Sequence, residues 1–222
     1  MFPGKDSFIN IHAHKKPVAQ NEFVIRNAFL ALDAFGAGQL PYAVSVGLHP
    51  WYLHKKNVEE CVNKLTGIGS LPTVFAIGEI GIDRAIDTPL NKQIEYFEAQ
   101  LFVAEQLNKP VIIHAVRSYP DFIPYLKKNK VPFIFHGFNG NKQQAAELLK
   151  YNCKLSFGKN LLSEKSAEVL KWIPRDAFFL ETDTSHINIS TVYDAAGNIL
   201  GLEQAVLKEQ LFYTFAQIFH VK

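Results

Sequence analysis

SFINIHAH, residues Ser7–His14, is an apolar run that ends in two histidines, and it sets the pattern from which the fold is predicted. Four more apolar runs, rich in β-branched and aromatic residues, also end in side chains that bind metals. They are VFAIGE (74–79), PVIIH (110–114), PFIFH (132–136) and FFLETD (178–183). Short runs of this kind, separated by stretches of helical periodicity, are typical of alternating β and α units around a parallel sheet.

Eight strands are predicted when the same pattern is followed along the whole chain, each bound holding to about two to four residues. They are Ser7–Ile11, Glu22–Asn27, Tyr42–Val46, Thr73–Gly78, Pro110–Ile113, Val131–Phe135, Cys153–Phe157 and Ala177–Leu180. Eight parallel strands favour closure, so the predicted fold class is α/β, a (β/α)8 TIM barrel. Pro17, Gly36 and Gly38 interrupt any long helix early in the chain, and the first β/α unit is therefore expected to be shortened.

Amphipathic helices are predicted between the later strands. The clearest has apolar residues three and four positions apart, among them Phe97, Leu101 and Ala104. Asn141 and Ser163 are of the type that caps a helix N-terminus. The predicted helices are Pro89–Leu107, Asn141–Lys150, Ser163–Trp172 and Leu202–Phe219.

Composition limits the class of protein. The 222 residues are 48% hydrophobic, enough for one large core, and a single domain over residues 1–222 is expected.

No apolar stretch approaches the length of a membrane helix and no signal sequence opens the chain, so we expect a cytoplasmic protein with no membrane association. Cys61 and Cys153 have neither disulfide nor zinc-site spacing. The net charge of +2 offers no long track for duplex DNA, so any nucleic acid contact should be local. Nothing in the sequence indicates an obligate protein partner.

Six potential metal ligands end the five apolar runs. In a parallel barrel the carboxyl ends of the strands converge on one mouth, so these side chains should share a small volume. His12 and His14 are two positions apart on a strand and can face the same way. The donors are too many for one tetrahedral catalytic ion with an open position, whereas two ions bridged by a carboxylate would use them all. The predicted ligands are His12, His14, Glu79, His114, His136 and Asp183.

Two metal ions would lower the pKa of a bound water and stabilise charge on a phosphoryl or carbonyl oxygen. Asp183 is the candidate for both ligand and proton acceptor, and Glu181 either faces the interior with it or supports the ligands from below. His49 and Arg117 follow strands and could bind a substrate phosphate, although Arg117 could instead form a structural ion pair. Trp51 could stack on a base or pack beneath its loop.

The ordered set of motifs resembles the TatD-type metal-dependent deoxyribonucleases. INIHAH (9–14), GLHPW (47–51), AIGEIGID (76–83), VIIHAVRS (111–118), FHGFNG (135–140) and LETD (180–183) occur in the family's order, and the closing LKEQLFYTFAQIF (207–219) is similar to its last helix. The resemblance covers nearly the whole chain. It implies a barrel of the metal-dependent hydrolase type that cleaves phosphodiester bonds in DNA.

The resemblance also implies roles for individual residues. His12, His14, Glu79 and Asp183 would surround one ion, and His114 and His136 would hold the second, with Glu79 between the two. Glu79 and Asp183 would be the catalytic residues. The family usually has an aspartate where this chain has Asn10.

The metals and the substrate are left open by the residues themselves. The ions implied are Mg²⁺, Mn²⁺ or Zn²⁺. The alternatives to a nuclease are an amidohydrolase or small-molecule phosphoesterase on the same barrel, and a catalytically weak metal-binding protein.

Overall fold

The computed structural model describes residues 2–30, 42–55, 57–128 and 130–220. Its strands follow one another in chain order, from β1 to β8. The strands are β1 (Phe8–Ala13), β2 (Glu22–Phe29), β3 (Val44–Gly47), β4 (Val74–Asp83), β5 (Val111–Val116), β6 (Phe133–Phe135), β7 (Lys154–Phe157) and β8 (Phe178–Leu180). The helices are α1 (Val58–Gly69), α2 (Leu90–Gln106), α3 (Tyr119–Leu126), α4 (Lys142–Leu149), α5 (Glu164–Trp172), α6 (Ile189–Leu200) and α7 (Gln204–Phe219), with short 3-10 helices at Pro50–Lys55 and Lys159–Leu162.

The strand order and direction confirm the predicted (β/α)8 fold class. The pairs β1–β2, β3–β4, β4–β5 and β7–β8 are all parallel. Every residue of β1, β7 and β8 is buried, as expected for parallel strands covered on both faces. Residues 14–21, all of which are described, form no helix between β1 and β2, so the first β/α unit is shortened as predicted. Gly36 and Gly38 lie outside the described residues.

The chain divides into two compact units, Met1–Arg26 with Phe135–Lys222, and Asn27–Ile134. In the first unit, the Tyr193 hydroxyl of α6 accepts from the Ile9 amide at 2.9 Å and donates to the Ile9 carbonyl at 3.2 Å. In the second unit, Phe97 of α2 packs edge-on against Phe122 of α3 at 5.2 Å between ring centroids. The single domain over residues 1–222 stays a prediction.

Side-chain caps fix where several helices begin. The Asn141 side chain accepts from the Gln144 amide, and the Asn141 backbone amide donates to the Gln144 side chain, which forms a capping box at α4. Ser163 caps α5 by accepting from the Ser166 amide, so both predicted N-caps are confirmed. Gly201 closes α6 in the left-handed conformation. Among the described residues, no helix combines the length and apolar character needed to cross a bilayer.

Two buried glutamines attach α2 to the ends of neighbouring strands. The Gln93 side chain accepts from the Asp83 amide at 2.8 Å and donates to the Asp83 carbonyl at 3.0 Å. Gln100, two helical turns later, makes the same pair of bonds with Leu48, at 2.6 and 3.1 Å. Each amide side chain therefore satisfies both backbone groups of a strand-end residue that would otherwise be buried without partners.

Cys153 is expected to be chemically inert in the folded protein. Neither cysteine forms a disulfide, both are buried, and burial raises the pKa of the Cys153 thiol to about 12. Because the thiolate is the reactive form, neither cysteine should react with a disulfide reagent at pH 8 until the protein unfolds. Titration of thiols in native buffer and then in denaturant checks this, and rapid labelling of Cys153 in native protein would contradict it.

Candidate functional site

The first unit brings together an imidazole–carboxylate cluster, here called the Asp183 group: His12, His14, His136 and Asp183. Asp183 follows β8 and bonds to β1 on both sides, since its amide donates to the His12 carbonyl at 3.0 Å and its carbonyl accepts from the His14 amide at 3.1 Å. Its Oδ1 lies 3.7 Å from His12 Nε2 and 3.3 Å from His14 Nε2. The His136 ring lies 4.4 Å from the His12 ring between centroids.

Asp183 is held as a carboxylate. Burial alone would raise its pKa, but the imidazoles of His12 and His14, with His136 nearby, outweigh burial and bring the pKa well below its usual value. Asp183 also has a φ of 49°, a left-handed conformation that aspartate tolerates better than most residues. The result is a charged oxygen donor fixed beside imidazole nitrogens.

Two buried polar residues support the Asp183 group from behind. Glu181 Oε1 accepts from the Gly137 amide at 2.9 Å and lies 3.6 Å from His136 Nδ1, so it braces the loop that follows His136. Asn10 accepts from the Thr182 amide at 3.0 Å and donates to the Thr182 hydroxyl at 2.9 Å. Asn10 therefore holds the residue that precedes Asp183.

The second unit forms another cluster, the Glu79 group: His49, Glu79, Asp83 and His114. Glu79 Oε1 lies 2.8 Å from His114 Nδ1 and 3.3 Å from His49 Nε2. The other ring nitrogen of His114, Nε2, lies 3.1 Å from Asp83 Oδ2. Glu79 and Asp83 are four positions apart on β4 and so lie on the same face of the strand.

Asn27 and Trp51 orient the Glu79 group. Asn27 accepts from the Glu79 amide at 3.1 Å and donates to Glu79 Oε2 at 3.3 Å, so it fixes both the backbone and the side chain of Glu79. The Trp51 indole donates to Asp83 Oδ2 at 2.8 Å, and its backbone amide donates to His49 Nδ1 at 3.1 Å. Since this bond occupies Nδ1, Nε2 is the ring nitrogen of His49 that faces Glu79.

Asp83, which also belongs to this group, stays charged. Burial tends to raise its pKa, but hydrogen bonds from His114, Trp51 and the Ala85 amide outweigh burial and lower the pKa to about 2. A charged Asp83 beside His114 orients that ring, as carboxylates do for histidines that bind metals.

The structure distributes the predicted site residues between the two groups. His12, His14, His136 and Asp183 lie in the Asp183 group, and Glu79 and His114 lie in the Glu79 group. His49, predicted to contact substrate, lies against Glu79. Arg117 is exposed, and its guanidinium has no ion pair within the described residues.

Asp83 and Asn27 were not among the predicted site residues. The predicted strand ended at Gly78, whereas β4 continues to Asp83. The signal that could have identified Asp83 is its two-residue alternation with Glu79 and Gly81 in GEIGID. Asn27 carries no comparable signal, because it acts through one amide side chain on a strand without other polar site residues.

Curated relatives match part of this chain. An uncharacterized metal-dependent hydrolase of Haemophilus influenzae is 31% identical over 152 residues, which are 63% of this chain and 57% of that protein. A 3'-5' ssDNA/RNA exonuclease TatD of Edwardsiella piscicida is 29% identical over 152 residues, 64% of this chain and 58% of that protein. The chain thus spans less than two thirds of the length of these relatives.

Solved structures share the fold at low sequence identity. The TatD homologue YjjV of Escherichia coli superimposes with a TM-score of 0.77 and 23% identity, over 90% of this chain and 87% of that one. A TatD family hydrolase of Entamoeba histolytica gives a TM-score of 0.77 and 15% identity over the full length of both chains. These matches agree with the (β/α)8 fold class assigned from the strands.

Residues 32–192 match the family described as TatD related DNase. The matched range contains Glu79, His114, His136 and Asp183, while His12 and His14 precede it. Because the range is well over half of the chain, the chain belongs to the TatD-related DNase family of metal-dependent hydrolases.

Proposed function

We propose that the protein is a deoxyribonuclease that hydrolyses phosphodiester bonds in DNA with two divalent ions, Mg²⁺, Mn²⁺ or Zn²⁺. The observation that carries the proposal is that each unit contains a set of side chains whose donor atoms are close enough together to hold a metal ion. In each set the ligand atoms lie within 4.8 Å of one another: His12, His136 and Asp183 in one, and His49, Glu79 and His114 in the other. One ion at each set accounts for the two ions proposed.

The donor distances fit a shared ion. Two ligands that each lie 2.0–2.1 Å from a tetrahedral zinc are roughly 3.3 Å apart. His14 Nε2 and Asp183 Oδ1 are separated by 3.3 Å, and His49 Nε2 and Glu79 Oε1 by the same distance. These separations exceed the usual 2.9–3.0 Å or so of a direct hydrogen bond between nitrogen and oxygen. The division of the six predicted ligands between particular ions stays a prediction.

Metal ions bound here would supply Lewis acidity and a water of lowered pKa. The protein's own residues would do the rest. Asp183, held as a carboxylate, is proposed to accept the proton of the attacking water, and Glu79 to fix the ligand set through its bonds to His114 and Asn27. Arg117 is exposed and is proposed to bind a phosphate through its two-pronged guanidinium. His49 stays a predicted substrate-binding residue whose contact with Glu79 also suits a ligand.

The choice of DNA as substrate rests on the family and on charge. The relative from Edwardsiella piscicida is named as an exonuclease of single-stranded DNA and RNA. A net charge of +2 suits local contact with a strand end better than an extended duplex track. We therefore propose single-stranded ends as the preferred DNA.

Cleavage of end-labelled single-stranded DNA with added Mg²⁺ or Mn²⁺ tests the proposal. The expected result is metal-dependent shortening of the labelled strand that EDTA abolishes. Parallel assays with p-nitrophenyl phosphate and with small amides test the amidohydrolase and phosphoesterase alternatives. Intact DNA with turnover of a small ester or amide would contradict the nuclease, and metal binding by calorimetry without any turnover would favour a metal-binding protein.

A further inference from the structure

A small cavity of about 160 Å³ lies within the first unit, between the loops that follow β1 and β8. Its walls include residues from β1, from the start of β2, from both loops and from the N-cap of α6, among them Asn10, Lys15, Lys16, Glu22, Ser185 and Asn188. Pockets for drug-sized ligands usually measure about 300–1,000 Å³. The cavity is therefore sized for one small chemical group.

Lys15 places a positive charge at this cavity. Its side chain is half-buried, and its Nζ donates to the Ser185 carbonyl at 3.1 Å and lies 2.9 Å from His186 Nδ1. An ammonium has three N–H donors, so the two contacts hold the group in place and leave one donor for a ligand. Lys16 adds a second, exposed positive charge to the same wall.

Glu22 is the carboxylate among the described residues that line the cavity. Both of its oxygens already accept hydrogen bonds from the protein. Its Oε2 accepts from the Val18 amide at 2.8 Å and from the Ala19 amide at 3.1 Å. Its Oε1 accepts from the Asn10 side chain at 2.8 Å. Since three N–H donors solvate Glu22, the two lysines leave the cavity with an excess of positive potential.

The start of α6 adds to that potential. Asn188 is the N-cap of this twelve-residue helix and also lines the cavity. Its side chain makes no capping hydrogen bond, so the positive end of the helix dipole is not offset by a side-chain oxygen of Asn188. Helix N-termini favour anions such as phosphate, and nearby lysines add to that preference.

We infer that this cavity is a phosphate subsite, distinct from the two imidazole–carboxylate groups, that binds one phosphate through Lys15, Lys16 and the first turn of α6. Lys15 directly follows His14, and Ser185 lies two residues after Asp183, so a phosphate held here would lie on loops shared with the Asp183 group. The phosphate comes either from free inorganic phosphate or from the end of a nucleic acid strand. The second source rests on the proposed function.

Binding measured in EDTA separates this inference from catalysis. Calorimetry with inorganic phosphate compares wild type with Lys15→Met and Lys16→Met. The control is Lys171→Met, which replaces an exposed lysine on α5 of the same unit. We expect Lys15→Met to weaken phosphate binding at least tenfold and Lys16→Met to weaken it less. Lys171→Met should bind as wild type does. Thermal unfolding of each variant establishes that it is folded, and Lys16→Met keeps the test decisive if Lys15→Met does not fold.

A second arm distinguishes the sources with a trinucleotide that carries a terminal phosphate and the same trinucleotide without it. A strand end is the source if the phosphate tightens binding and Lys15→Met removes that gain. Free phosphate is the source if the two trinucleotides bind equally while inorganic phosphate still depends on Lys15. Wild type that binds no inorganic phosphate at millimolar concentration, or folded Lys15→Met that binds it unchanged, would overturn the inference. Failure of DNA cleavage alone would leave it standing.

Discussion

Replacing Asp183 by asparagine is expected to lower kcat/KM for metal-dependent hydrolysis by at least about 10³-fold, or about 4 kcal/mol of transition-state stabilisation. Asparagine keeps the shape of the side chain but cannot carry the negative charge that His12 and His14 favour at this position. The same substitution removes the proposed proton acceptor. Initial rates on labelled DNA, with saturating metal, measure the change, and calorimetry with Mn²⁺ should show weaker binding of the metal itself.

Asp176→Asn is the matched control for this variant. Asp176 is exposed and follows α5, so losing its charge should leave both rate and metal binding within about twofold of wild type, as for most surface substitutions. Glu79→Gln should resemble Asp183→Asn, because Glu79 is the carboxylate at the centre of its own group. Wild-type rates in folded Asp183→Asn would refute the catalytic role assigned to Asp183.

Replacing Gly81 by alanine is expected to destabilise the fold by about 4 kcal/mol or more. Gly81 pairs with His114 across β4 and β5, and an added Cβ would lie 2.0 Å from the His114 carbonyl oxygen. The φ of 149° at Gly81 adds a conformation that side chains rarely adopt. Relief of the clash must move β5, and with it the His114 ring. The urea midpoint, read by circular dichroism, measures the loss.

Gly67→Ala is the same kind of substitution as Gly81→Ala, but it is expected to stabilise the protein. Gly67 is exposed on α1, and no atom lies within 4 Å of an added Cβ. Alanine should therefore stabilise the protein by about 0.5–1 kcal/mol, since it restricts the unfolded chain and suits a helix. An unchanged urea midpoint in Gly81→Ala would show that the β4–β5 contact is looser than the structure indicates.

The strands were predictable because burial on both faces leaves a direct trace in sequence. Runs such as Phe8–Ile11 and Phe133–Phe135 contain few residues that suit any other environment. The end of β4 was wrong by five residues, because Gly78 and Gly81 have the composition of a turn. In the structure these glycines allow close packing of strands, as the close approach of Gly81 to His114 shows.

Three helices, α1, α3 and α6, were not predicted, and the reasons can be identified for α3 and α6. Pro120 and Pro124 disfavour a helix in the sequence of α3, yet Pro120 lies in the first turn, where proline is tolerated. α6 begins with β-branched residues that form helices poorly on their own, and burial of Val192 and Tyr193 compensates for that. Tertiary packing decided both helices, and a single sequence does not display it.

The candidate site was predictable in its ligands and less so in their supports. Histidines and carboxylates at strand ends are conspicuous, whereas Asn27 and Asp83 act only through partners distant in sequence. The pairing of β1 with Asp183 likewise depends on backbone bonds that any residue could make. Contacts made by backbone groups do not depend on residue type, so they cannot be recognised from the sequence.

The two glutamines of α2, Gln93 and Gln100, also couple local opening movements within the second unit. Leu48 and Asp83 give both of their backbone groups to one rigid helix, and Leu48 precedes His49 while Asp83 contacts His114. Neither strand end can lift into solvent without losing bonds to the same helix. The loop carrying His49, the end of β4 and helix α2 therefore form one cooperative opening unit, with a shared free energy for transient exposure.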